Sequence, residues 1–253
     1  MSKSILISLI ELIVISPILF YSLKDKIENN LRFLLLFVSV FVLNSFLIEL
    51  PRKISFFNLL GGQWNWTGKL FALTAALIIY LLIKRKFLNQ YDFLKLGQAK
   101  HSLKPNLILI LLLVLITVIY TRFFGDHSEF TIETLLFQLL PGIEEEIVFR
   151  GLMLGLLLSI MKDKVVIGNM NIGNPSIYAT AILFGLVHGL SFNELWQIDF
   201  NLGYCFITFL YGMVWGWMNL KSGSILLPII AHNLLNISIT LVAILNTTAN
   251  SGS

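Results

Sequence analysis

The sequence predicts an all-α protein, a polytopic transmembrane bundle of about eight helices with the fifth kinked near Pro141. Three observations carry this. The 253-residue chain is 57% hydrophobic and only 13% charged, with a mean hydropathy of +0.83. A soluble chain of this length cannot hide so much apolar surface. Long apolar runs recur from one end to the other, separated by short polar or basic connections. Finally, Pro141-Gly142 interrupts the run at 132–160. That run is too long for one straight crossing of a core roughly 30 Å thick at about 1.5 Å per residue. Proline lacks the amide proton of the helix ladder, so a kink belongs there.

Each element follows from its residues. Residues 4–23 resemble a signal peptide, but Lys24-Asp25-Lys26 stands where a small-residue cleavage site would be, so the run reads as a retained first span. Glu11 inside it reads as a helix–helix contact. Residues 33–48 form the second span, closed by Pro51, Arg52 and Lys53. Residues 56–69, with Gly61-Gly62, Trp64 and Trp66, read as an interfacial loop with an aromatic anchor. Residues 70–83 form the third span. The basic connection 87–105, with a solvated His101, leads to the fourth span at 106–124. A polar turn with a solvated His127 precedes the fifth span. After a polar turn at 169–174, Asn174-Pro175 reads as an N-cap with Pro at the first helical position. It opens the sixth span, 175–190; the seventh is 202–220 and the eighth 225–245. The chain reads as one integral membrane domain, 1–253, with four N-terminal spans in 1–131 and a second set in 132–246.

The net charge of +4 comes from loop Lys and Arg, which speaks of topology and lipid headgroups and not of nucleic acid. Cys205 is the single cysteine, so no intrachain disulfide forms.

The chemistry gathers in the fifth span, which holds Glu144, Glu145, Glu146 and Arg150. Its apolar side chains favour insertion by about −8 kcal/mol, and the four charges oppose it by about +12. The helix must therefore turn its charges to other helices or a wet cavity. Glu146 and Arg150 are i and i+4, in the favourable order for an ion pair. Glu145 projects about 100° away and is left without a counter-ion, which suits it to proton transfer near neutral pH. Each of two later spans pairs functional types at i and i+4: Phe184 with His188, and His232 with Asn236. A carboxylate and a histidine can activate water, and a histidine and an amide can hold a developing oxyanion. Three Gly-x-x-x-Gly pairs, Gly151/Gly155, Gly185/Gly189 and Gly212/Gly216, allow the helices to approach closely.

EEIVFR (145–150), FGLVH (184–188) and HNLLN (232–236) resemble, in order, the EExxxR, FxxxH and HxxxN/D motifs of the CAAX protease and bacteriocin-processing (CPBP, or Abi) family. That family contains the type II CAAX prenyl endopeptidases. The similarity covers roughly 139–239; the first four spans match only in hydropathy. The resemblance implies an intramembrane glutamic endopeptidase without metal or other cofactor, in a bacterial cell membrane, with membrane lipids and a peptide or membrane-protein substrate as partners. It makes Glu145 the water-activating base assisted by His188, makes His232 and Asn236 the oxyanion pair, and gives Glu146, Arg150 and Phe184 orienting roles. Glu144 lies outside the pattern and reads as structural.

Three rival readings use the same residues. A zinc protease would take Glu145, His188 and His232 as ligands, though no HExxH is present. A proton-coupled transporter would use the acids and histidines, though no internal repeat is found. A non-catalytic membrane protein of bacteriocin self-immunity or regulation would use the intact motifs for binding.

Overall fold

The computed structural model describes residues 2–124 and 131–251, so the turn with His127 lies outside the described residues. The helices follow the apolar runs. α1 (Ser2–Tyr21), α2 (Ile27–Lys53), α3 (Trp66–Phe87) and α4 (Leu103–Phe124) come first. A rod of four pieces follows: α5 (Ile132–Phe137), α6 (Leu139–Glu146), a π-helical segment (Ile147–Met153) and α7 (Leu154–Ile160). α8 (Pro175–Gly189), α9 (Leu202–Ser222) and α10 (Leu226–Ser251) complete the bundle. With the rod counted once, the described residues form eight helices, the all-α polytopic bundle the hydropathy predicts. The strands are two short antiparallel hairpins, β1 (Val165–Ile167) with β2 (Met170–Gly173) and β3 (Leu190–Phe192) with β4 (Ile198–Phe200). The first of them forms where a polar turn is expected.

The elements differ in reach. α1, α2, α3, α10 and residues 100–123 are each long and apolar enough to cross a membrane. α8 is apolar but has 15 residues. At about 1.5 Å per residue it extends roughly 22 Å, short of a core of about 30 Å. Its N-terminus forms as predicted, with the Asn174 side chain accepting from Ser176 N at 2.9 Å and Pro175 next.

The rod breaks near Pro141, and the cause is visible one turn upstream. α5 ends at Phe137, four residues before Pro141. Pro141 cannot donate to the Phe137 carbonyl, and its ring crowds that oxygen. The helix restarts at Leu139, with Pro141 in its first turn, where a missing N–H leaves no bond unmade. The π-helical segment is a second irregularity, and no residue pattern foretells it.

The glycine pairs do two different jobs. α8 and α9 meet through theirs. A Cβ on Gly185 would lie 2.7 Å from Cys205 O, one on Gly212 3.0 Å from Ala181 Cα, and one on Gly216 2.9 Å from Ile177 Cγ2. Gly151 and Gly155 instead receive the connection after α3: a Cβ on Gly151 would strike Leu94, and one on Gly155 would lie 2.9 Å from Tyr91 O. Residues 87–105 are therefore no free basic loop. Leu88 is buried against the rod at Gly155 and Phe93 is buried too, while His101 is exposed as expected. Glu11 is buried within the bundle.

Gly189 sets the closest approach of α8 to α9, since a Cβ there would strike Cys205 and lie 2.8 Å from Asn201 O. Gly189→Val is expected to lower folded yield and to destabilise the bundle by about 1–3 kcal/mol, as overpacking does. Thermal unfolding in detergent reads this, and an unchanged midpoint would contradict the close contact.

Candidate active site

Glu144, Glu145 and Glu146 close α6, and Glu144 and Glu146 are fully buried. α10 comes against α6 at Gly142, where an added Cβ would strike the Asn233 side chain. This approach carries His232 to Glu146. His232 Nδ1 lies 2.9 Å from Glu146 Oε1, and Arg150 Nη1 donates to the same oxygen at 3.2 Å. The ion pair predicted from the i, i+4 spacing thus forms across the junction of α6 and the π segment, with both side chains fully buried.

Arg150 brings five N–H donors into the interior, and one carboxylate cannot take them all. Aromatic faces surround the rest. The guanidinium carbon lies 4.5 Å from the Phe184 ring centre, 5.3 Å from Trp215 and 5.7 Å from Phe149. Such contacts offset part of the desolvation of a buried cation. Phe184 also faces both imidazoles, with centroids 4.5 Å from His188 and 6.0 Å from His232. Trp215 stacks flat on His232 at 4.3 Å.

The two histidines are oriented alike. His188 Nδ1 lies 2.7 Å from the Phe184 carbonyl, which can only accept, so the hydrogen-bond network assigns the proton to Nδ1. His232 Nδ1 faces a carboxylate and is assigned in the same way. In each neutral ring, Nε2 then carries a lone pair. Both Nε2 atoms face one oxygen, Glu145 Oε2, at 3.7 Å and 3.9 Å. These separations are too long for direct hydrogen bonds and suit three groups that share one water.

The type of motif and its order now have a geometry. Residues 127–238 match the family model of type II CAAX prenyl endopeptidases, Rce1-like. The match bears out the family resemblance carried by the three motifs and associates the segment with CAAX-type proteases of the membrane. No curated protein and no solved structure matches the chain.

The expectation that Glu145 has no counter-ion is wrong. Lys69 donates to Glu145 Oε1 at 2.7 Å and to Glu144 Oε2 at 2.6 Å. The sequence places Lys69 at the end of an interfacial loop, but α3 begins at Trp66, so Lys69 lies within its first turn. The pairing joins residues 76 apart in the chain, beyond any helical spacing rule. The same loop departs from its predicted role elsewhere. Trp64 and Trp66 do not simply anchor at an interface: their ring N–H groups donate to Thr134 and Glu133 of α5, at 3.2 Å and 3.1 Å.

Glu145, Glu146, Arg150, Phe184, His188 and His232 are brought together. Asn236 is not tied to them: it is half-buried one turn along α10, and its carbonyl accepts from the Thr240 hydroxyl. Its side chain makes no hydrogen bond among the described residues. Among the described residues, no group of three or more His, Cys, Asp or Glu side chains is arranged to hold a metal ion.

Arg150→Ala would leave Glu146 buried without its cation. Breaking such a pair costs roughly 3–5 kcal/mol, so folded yield and melting temperature are expected to fall together with any activity. Normal expression and stability of this variant would remove the structural role of the pair.

Proposed function

We propose that this chain is a metal-independent, glutamic-type intramembrane endopeptidase of a bacterial cell membrane, acting on a membrane-associated peptide or protein. The observation that carries the reading is Glu145 Oε2 facing the Nε2 atoms of His188 and His232 at 3.7 Å and 3.9 Å. A water shared by three acceptors has only two protons to give, so its oxygen is left rich in electrons and turned to the remaining side.

Charge bookkeeping follows the same step. The cluster holds Glu144, Glu145 and Glu146 against Lys69 and Arg150, one negative charge in excess when both imidazoles are neutral. As Glu145 takes a proton from the attacking water, that excess negative charge passes to the oxygen bound to the carbonyl carbon, where it has to be stabilised. The water oxygen bonds to the peptide carbonyl carbon, and Glu145, assisted by His188, accepts the proton. As the carbon–nitrogen bond breaks, that proton passes to the leaving amine. His232 and Asn236 are the pair the motif assigns to the oxyanion.

Proteoliposomes of wild type and Glu145→Gln, given quenched-fluorescent CAAX-type peptides with and without a farnesyl group, test the reading. Products are mapped by mass spectrometry. Glu145→Gln keeps the shape and removes the base, so cleavage is expected to fall by roughly 10²–10⁴. Undiminished cleavage would sink the proposal. Chelator treatment is expected to leave the wild-type rate unchanged, and a loss restored by zinc would favour the metalloprotease reading instead.

A further inference from the structure

We infer that Lys69 is a positioning residue of this site: its ammonium, held between Glu144 and Glu145, grips one oxygen of the Glu145 carboxylate and so keeps the other turned to the two histidines. The inference rests on the endopeptidase reading above. Lys69 belongs to none of the three motifs and comes from α3, outside the residues 127–238 that match the family model.

The backbone around Lys69 is pinned before its side chain reaches the site. Asn65 caps α3 by accepting from Gly68 N at 3.2 Å, while its amide donates to Ile48 O of α2 at 2.7 Å. Gly68 lies so close to α2 that an added Cβ would strike Ile48 O. The first turn of α3 is thus clamped to α2, and Lys69 is the next residue. Only about an eighth of its side chain is exposed, at 13%.

The ammonium then divides the Glu145 carboxylate. Oε1 accepts from Lys69 at 2.7 Å, and Oε2 is left for His188 and His232. Because the two oxygens are equivalent, what the ion pair opposes is a partial rotation about the last side-chain bond, which would swing the carboxylate out of line with the histidines. Glu144 supplies the second fixed point. It is fully buried, one residue before Glu145, and holds the same nitrogen at 2.6 Å. An ammonium with one partner could swing with that partner, whereas an ammonium with two is located. Glu144, which lies outside the motifs, thereby acquires a defined place as the anchor of Lys69.

The simpler alternative is that Lys69 only neutralises Glu144. The two roles separate in paired variants, assayed in proteoliposomes with the farnesylated CAAX-type peptide. Lys69→Met alone leaves two carboxylates facing each other and is expected to lose folded yield. Lys69→Met with Glu144→Gln removes one charge of each sign and is expected to regain yield and melting temperature. Its kcat is still expected to fall by at least about 10-fold while KM stays within about two-fold, the pattern of a misplaced base. If that pair does not fold, Lys69→Met with Glu144→Met replaces it, since a buried ion pair exchanged for apolar side chains of similar size is often tolerated. A folded, charge-balanced variant with wild-type kcat overturns the positioning role. Glu145→Gln in the same assay tells the failures apart. Inactive Glu145→Gln beside a fully active double variant overturns this inference alone. Undiminished cleavage by Glu145→Gln overturns the endopeptidase reading and this inference with it.

Discussion

A charge buried in a membrane bundle must meet its partners there, and most of this structure answers to that requirement. Glu144, Glu145, Glu146, Lys69 and Arg150 are within reach of one another, and Glu144, Glu146 and Arg150 have no exposed surface at all. Each would cost several kcal/mol alone in hydrocarbon. The clamp of α3 on α2, the seating of α10 against Gly142 and the aromatic faces around Arg150 all hold a charge to its partner. The interrupted rod serves the same end, because the break before Pro141 sets the direction from which α6 delivers its three carboxylates.

What the sequence discloses follows from which interactions are local. The eight helices were legible because hydropathy is averaged over many residues. The Asn174-Pro175 helix start and the Glu146–Arg150 pair were legible because capping and i, i+4 spacing span a single turn. The motif residues Glu145, His188 and His232 stood out because ionisable groups are rare in such runs. Lys69 gave no such signal: a lysine at the edge of an apolar run ordinarily marks the membrane surface, and its partners lie 75 and 76 residues away. The π-helical segment is also illegible, because it has no residue signature and a uniform turn of about 100° per residue does not reveal it. Asn236 shows the opposite case. Its place in a motif assigns a role that no side-chain hydrogen bond among the described residues ties to the cluster.

The histidines are steered by acceptors at their inner nitrogens, which leave both outer nitrogens facing Glu145. His188 is set by a backbone carbonyl and His232 by a carboxylate already committed to Arg150. Their rings are walled by carbon: Trp215 stacks on His232, Tyr204 meets His188 edge-on at 5.8 Å, and Phe184 touches both. The Gly212/Gly216 face makes room for this wall, because α9 carries Trp215 between those two glycines and can lie against α8 only where no side chain intervenes.

The long separation between Lys69 and its carboxylates has a consequence for biogenesis. A chain made from its N-terminus delivers α3 before the rod, so an ammonium is already available when the three glutamates arrive. Arg150 emerges four residues after Glu146 and is the second counter-ion. The histidines come last, with His232 86 residues behind Glu146. The order of synthesis therefore supplies the permanent cations first and the imidazoles afterwards, so a half-made chain carries paired charges well before it carries the groups that face a shared water.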